Sequence, residues 1–191
     1  MGKQALQTLN GIDTDALRHT MHDVSRDPSK GLMKLDVATS WTNGPRCETS
    51  VTAFEIGGQT LDRNFTIPID EPRELLGTDT APNAQEVLMA AVNACMVAGY
   101  VAGCSLKGIE LESLHIETHG ELDLRGFLGI EKDVAPGYEE IHQTVRIKGN
   151  GTAEQFREVH ETVKASSPNY FNMTHPVTMH SELIVEQLVV E

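Results

Sequence analysis

The side chains best suited to nucleophilic or redox chemistry in this sequence are its three cysteines, Cys47, Cys95 and Cys104. A thiolate attacks electrophilic sulfur, carbon and peroxide oxygen, so each is weighed first as a nucleophile. No pair has the C-x-x-C spacing of a dithiol or zinc motif, and an odd count is not a disulfide framework. Cys95 lies inside Val87–Leu106, 20 residues without a charge. If that stretch is a helix, Cys95 stands about a dozen residues in, beyond the first turn where the helix dipole favours an anion. An apolar environment disfavours a thiolate, so a reactive thiol there needs a cation from elsewhere in the fold; the alternative is a small buried packing residue. Cys104 follows nine residues later. At about 100° and 1.5 Å per residue it lies on the opposite side and roughly 13 Å along the axis, outside disulfide reach, which makes it a packing residue. Cys47 neighbours Arg46, a possible cation, but adjacent strand residues face opposite ways. If Arg46 faces a site, Cys47 does not.

Other groups are weaker. His19 and His22 are three apart on a helical pattern, and His115 and His119 share a strand face. Neither pair has an evident third ligand, so both read as surface pairs rather than metal sites. His175 and His180 lie around the start of the last strand pattern. The sequence has no G-x-G-x-x-G, Walker A, G-x-S-x-G or H-E-x-x-H, and no cofactor or metal is expected.

The elements that must position these residues belong to one soluble domain, or one domain with an extension. Of the 191 residues 39% are hydrophobic and 23% charged. A net charge of −13 repels phosphate backbones and anionic lipid, so nucleic acid and membrane surfaces are not expected partners. The N-terminus MGKQALQTLNGID shows no apolar signal region, and Leu6 breaks the myristoylation pattern. The cytoplasm is the expected location. The uncharged stretch is just long enough to span a membrane, but it holds Asn93 and Ser105 and is rich in Ala and Gly. A fully buried helix is the expected form.

Residues 4–29 read as a helical preface, with Leu6, Leu9, Leu17, Met21 and Val24 at roughly helical spacing, a break near Gly11 and a stop at Pro28. Met33, Leu35 and Val37 alternate as in a strand. Asn43-Gly44-Pro45 marks a turn, residues 49–56 a strand, Gly57-Gly58 a hairpin turn, and 59–67 a second strand ended by Pro68. A turn-rich segment leads to the uncharged helix. Asn83 and Glu86 resemble a capping box at its start, and Gly108 is its stop. Leu114, Ile116, Thr118, Gly120, Leu122 and Leu124 give one face of a strand; residues 125–140 a loop; Ile141, Gln143, Val145 and Ile147 the next strand. Thr152 and Gln155 box the start of a helix with the stripe Phe156, Val159, Val163, ended by Pro168. Residues 177–190 read as a final strand. Runs of strands joined by hairpins favour an antiparallel α+β domain.

Several segments resemble one known family. APNAQEVLMAAVNAC is similar to the segment that carries the reactive cysteine in OsmC/Ohr proteins. DLRGFLGIEKDVAPGYEEIHQTVRI resembles the strand-loop-strand that follows in one branch, SSPNYFNMTHPV its second helix end, and NGIDTDALRHTMHDV that branch's N-terminal extension. The resemblance implies an OsmC-like α+β fold over residues 31–191, with curved antiparallel sheets around long central helices, and residues 1–30 as a helical extension. It also implies an intertwined homodimer with sites at the interface. By the same resemblance Cys95 is the peroxidatic cysteine, Arg46 orients the thiolate and the peroxide, and Glu86 holds Arg46, with Gln85 standing where other branches place the acid. Ser167, before Pro168, stands where two-cysteine members carry the resolving cysteine. A hydroxyl cannot condense with a sulfenic acid to a disulfide. The expected activity is therefore a one-cysteine thiol peroxidase that reduces organic hydroperoxides and is regenerated by an external thiol reductant. The alternatives are a non-catalytic dimer binding an apolar or acyl ligand at the interface pocket and a structural protein with an inert thiol. Ser167, Tyr170 and Phe171 are the expected substrate-binding residues.

Overall fold

The structure is a computed structural model that describes residues 8–186. Leu6 of the expected preface and residues 187–190 of the expected last strand lie outside the described residues. The first described residues form a hairpin where helix was expected. β1 (Thr8–Leu9) and β2 (Ile12–Asp13) are joined by Asn10-Gly11 at φ 53° and 80°, the conformation a two-residue hairpin turn demands and Asn-Gly readily adopts. That local preference overrides the helical spacing at Leu9, while Leu17, Met21 and Val24 lie in a helix as expected. The Asp13 carboxylate then accepts from Asp15 N and Ala16 N and caps α1 (Thr14–Arg26), which stops before Pro28.

β3 (Met33–Asn43) and β4 (Arg46–Ile56) form a long antiparallel hairpin. On the other side of β4 the single strand expected over 59–67 is two pieces, β5 (Gln59–Leu61) and β6 (Thr66–Ile69). Between the Phe54–Leu61 and Ser50–Thr66 pairs, three residues of β4 face four of the outer strand, so an extra residue bulges out there. Pro68 does not end the strand but pairs with Glu48 inside β6, which an edge strand tolerates because its outer N–H is not needed.

The segment from β6 to the central helix is organised by one carboxylate. Asp70 is fully buried. It accepts from the hydroxyls of Thr78 (2.6 Å) and Thr80 (3.0 Å) and from the backbone N–H groups of Glu71, Thr78 and Thr80. Burial alone would raise its pKa. The donors, Thr78 hydroxyl foremost, outweigh burial and hold the carboxyl well below the usual range.

The central helix α2 (Ala84–Leu106) opens on the expected capping box. Glu86 N donates to Asn83 Oδ1 and Asn83 N to Glu86 Oε2, both at 2.8 Å. It is followed by β7 (Leu111–Gly120), a short α3 (Leu124–Phe127) inside the expected loop, β8 (Ile141–Gly149) paired with β7, and α4 (Ala153–Ser166) with its Thr152–Gln155 box. Leu124, expected on the β7 face, instead begins α3. Pro168 ends α4 as expected, but a new helix, α5 (Pro168–Thr174), starts there, because proline suits a first helical position.

Met96, Tyr100 and Cys104, four residues apart on α2, form the core with Ile109 and with Val159 and Val163 of α4. Close approach is possible because Gly99 and Gly103 face those valines. A Cβ at Gly103 would stand 3.2 Å from a Val159 methyl, and one at Gly99 3.2 Å from Val163. The hairpin turn closes the far end of α2: Asn10 Nδ2 donates to Ser105 Oγ (3.0 Å) and Ile109 O (2.9 Å), and its Oδ1 accepts from Leu111 N (2.8 Å).

The expectation of a fully buried α2 holds for one face only. At about 100° per residue, Val87, Ala90, Ala91, Ala94, Val97, Ala98 and Val101 form a second apolar face, and Ala90, Ala91, Ala94, Val97 and Ala98 are exposed. Strands β3–β6 make their extensive contacts only with one another; Met33, Leu35, Val37 and Trp41 are 52–74% exposed. Residues 176–186 have no regular structure, and Val177, Met179, Leu183, Ile184 and Val185 are exposed. The expected last strand is absent over these residues, which pair with no sheet edge of their own chain. The surface totals 14862 Å², against roughly 9,000 Å² for a compact monomer of this mass.

Replacing Gly103 by Leu should drive α4 off α2 and cost about 1–3 kcal/mol, read as a lower urea midpoint. Asp70 has a folded pKa below its unfolded value of about 4, so its stabilisation is present above pH 4 and lost as pH falls through the folded value. The melting temperature of Asp70→Asn should therefore lie below wild type at pH 7, and the gap should narrow between about pH 4 and pH 2.

Candidate functional site

Cys95 is half-buried on α2, at the seam between the core-facing stripe and the exposed alanine face. One residue from a distant part of the chain is brought against it. α4 cannot continue through Pro168, which lacks an N–H. Ser167 takes an extended conformation (φ −74°, ψ 117°) and becomes the N-cap of α5. Its hydroxyl oxygen accepts from Tyr170 N at 3.3 Å and donates to Cys95 Sγ at 3.2 Å. Ser167 is only 6% exposed, so this hydroxyl has little competition from water. Asn169 Nδ2 donates to Ala91 O at 2.9 Å and pins α5 to α2 one turn before the thiol. A hydroxyl aimed at sulfur stabilises a thiolate or its oxidised product.

The other expected residues are placed differently. Arg46 is exposed at the start of β4, and its guanidinium has no hydrogen-bond or ion-pair partner among the described residues. Its sheet does not pack on α2, so one chain does not bring Arg46 to Cys95. Glu86 is engaged in the capping box. Nine residues separate it from Cys95, about two and a half turns, so it lies roughly 13 Å away along the axis and on the opposite side. Cys47, beside Arg46, pairs with Trp41 and Ile69 in the sheet. Tyr170 follows Ser167 and packs on the core. Phe171 is 53% exposed and stacks on His175 with ring centroids 4.2 Å apart; it does not line the clefts beside α2. Cys104 is fully buried, and burial pushes its thiol pKa up. It is a packing residue.

Sequence reading missed Asn169, whose contact with Ala91 spans 78 residues, and the pairing of the Tyr100 hydroxyl with His160 Nδ1 inside the core. Burial, then Glu161 and Cys104, push the Tyr100 hydroxyl up to about 12, so it stays neutral. Neither contact has a local signal. Among the described residues no three His, Cys, Asp or Glu side chains converge as a metal site. His19, His115, His119 and His142 each lie near a carboxylate, Asp23, Glu117, Glu121 and Glu140 respectively.

The antiparallel α+β architecture matches that of OsmC-like proteins. The family described as OsmC-like protein matches residues 77–182, and the chain belongs to that family. The fold is similar to that of an OsmC-like protein from Mycoplasma pneumoniae (16% identity, 74% of this chain and 87% of that one, TM-score 0.58). It is similar also to a protein from Psychrobacter arcticus named for osmotic stress induction and a detoxification response (14% identity, 73% and 88%, TM-score 0.56). A third is an OsmC-like protein of unknown function from Vibrio cholerae (12% identity, 72% and 91%, TM-score 0.51). At these identities the likeness is one of fold. No curated protein matches the chain.

With Ser167 Oγ in contact with Cys95 Sγ, Ser167→Cys should form an intramolecular disulfide between Cys95 and the introduced thiol on mild oxidation, since an S–S bond needs only about 2.05 Å and a short backbone span. The expected readout is a 2 Da mass loss and protection of Cys95 from alkylation; a Cys95 that stays alkylatable in the oxidised variant would refute the contact.

Proposed function

We propose that this protein is a one-cysteine thiol peroxidase for organic hydroperoxides, active as a homodimer in a reducing compartment such as the cytoplasm. The observation that carries it is the buried Ser167 hydroxyl donating to the half-exposed Cys95 sulfur. The Cys95 thiolate attacks the distal oxygen of ROOH. The O–O bond breaks, the thiolate becomes a sulfenic acid, and RO⁻ leaves as ROH after taking a proton. Ser167 offers no sulfur, so an external thiol must complete the cycle. One thiol condenses with the sulfenic acid, releasing water and leaving a mixed disulfide, and a second displaces Cys95 as thiolate.

The dimer is supported by the surface left uncovered. The alanine face of α2, the apolar residues of β3 and the unpaired segment 176–186 all call for burial, and a second copy supplies matching surfaces. Cys95 borders that face, so covering it would shield the thiol from water. Arg46 lacks a partner among the described residues, and Glu86 cannot reach Cys95 of its own helix. We assign both to the site across the dimer, Arg46 as the cation beside the thiolate and Glu86 as its support. The name of the Psychrobacter protein, with its detoxification response, is in keeping with this reading.

Reduced protein briefly exposed to a slight excess of cumene hydroperoxide should gain one oxygen on Cys95, reversed by a dithiol and absent in Cys95→Ser. Arg46→Ala should slow that uptake at least tenfold, because it removes charge stabilisation where charge develops. Light scattering should give twice the 20.9 kDa chain mass. A Cys95 that stays reduced while a free model thiol oxidises would refute the peroxidase.

A further inference from the structure

A cleft of about 480 Å³ opens beside the N-terminal half of α2, within the size range of small-molecule sites. Much of its wall is apolar: Leu88, Met89 and Val92 of α2, Ile141 of β8, and Tyr170 and Met173 of α5. Two of these walls lead to the thiol. Val92 is one turn before Cys95 on α2, and Tyr170 follows Ser167 on the first turn of α5, so both helices run from the cleft to the Cys95–Ser167 contact.

The polar groups beside the cleft are only partly used by the fold. The Thr118 hydroxyl donates to Asn93 Oδ1 at 2.6 Å, and Gln143 Nε2 donates to the same oxygen at 3.0 Å. Thr118 and Gln143 both line the cleft. Gln143 Oε1 has no partner among the described residues, leaving an acceptor in the cleft wall free for a hydroxyl, hydroperoxyl or amide donor. The ionisable groups point the same way. Glu139 and Glu140 line the cleft, and no Lys, Arg or His does among the described residues. A carboxylate entering there would lose water, find no cation among the lining residues and have no proton to give Gln143 Oε1; Glu139 and Glu140, both exposed, add a screened like charge.

We infer that this cleft binds uncharged amphipathic molecules, an apolar body carrying a hydroxyl, hydroperoxyl or amide group, and rejects carboxylates of the same size. Its role as the seat for the organic part of a hydroperoxide rests on the reading of Cys95 given above; the binding selectivity does not. The cleft is thus the element that chooses the substrate: neutral hydroperoxides over ionised fatty-acid hydroperoxides.

Titration calorimetry of the intact protein with 1-octanol and with octanoate at pH 7.5 tests this directly. Octanol should bind, and octanoate should bind at least tenfold more weakly. Gln143→Leu should weaken octanol several-fold, Met173→Trp should abolish it by filling the cleft, and Glu139→Gln with Glu140→Gln should raise octanoate affinity. Far-UV circular dichroism and gel filtration of each variant exclude misfolding as the cause. Equal affinities for the two ligands, no octanol binding, or octanol binding indifferent to both Gln143→Leu and Met173→Trp would overturn the inference. Octanol selectivity in a protein whose Cys95 never takes up oxygen would retain the cleft and discard the peroxidase. Oxygen uptake with equal octanol and octanoate affinities would do the reverse.

Discussion

α2 is 23 residues long, carries Glu86 as its one charge, and is apolar on every side. A helix of that composition must be covered all round, and its own chain covers only part of it. β7, α4 and α5 take one face, with α4 seated against Gly99 and Gly103. The opposite face is alanine and valine, too smooth for a loop and suited to another helix. The rest of the architecture follows from this incomplete burial. The β3–β6 sheet stands away from the helix, residues 176–186 find no sheet edge, and the cysteine sits where the covered and uncovered faces meet.

The site is correspondingly divided. One half is complete within the chain: Cys95, the Ser167 hydroxyl against its sulfur, and Asn169 holding the two helices together. The other half, the cation a thiolate needs, is absent from the immediate surroundings of Cys95. Arg46 is presented at the tip of a long hairpin with its guanidinium unengaged among the described residues. In the proposed dimer, with Arg46 as that cation, thiol reactivity is tied to association. An unassembled chain would then carry a less reactive thiol.

The helices and their boundaries were largely legible because their caps are local. Asn83–Glu86 and Thr152–Gln155 each act over three residues, and both boxes are present. Fold class and family could be read for a related reason: the order of segments survives even where identity to proteins of the same fold falls to 12–16%. Sequence reading failed where a local preference competed with a weaker periodic one. Asn10-Gly11 made a hairpin out of an apparent helix, and Pro168 began a helix as well as ending one. It failed again where one chain does not bury what its composition promised: α2 reads as fully buried and 177–186 as a strand, and neither holds within the chain. The Cys95–Ser167 contact spans 72 residues; family resemblance placed the serine at a meaningful position, but its hydrogen bond to sulfur has no signature in composition or spacing.

The hairpin turn at Asn10 also imposes an order in time. Its three side-chain contacts are with Ser105, Ile109 and Leu111, 95 to 101 residues downstream. A ribosome adding about 5–20 residues per second makes those partners only some 5–20 s after the asparagine itself. Through that interval the Asn10 turn lacks these partners, the last of which is Leu111 at the start of β7. The hairpin therefore acts as a late closure, locking the end of the central helix only after the helix and the start of β7 have been made.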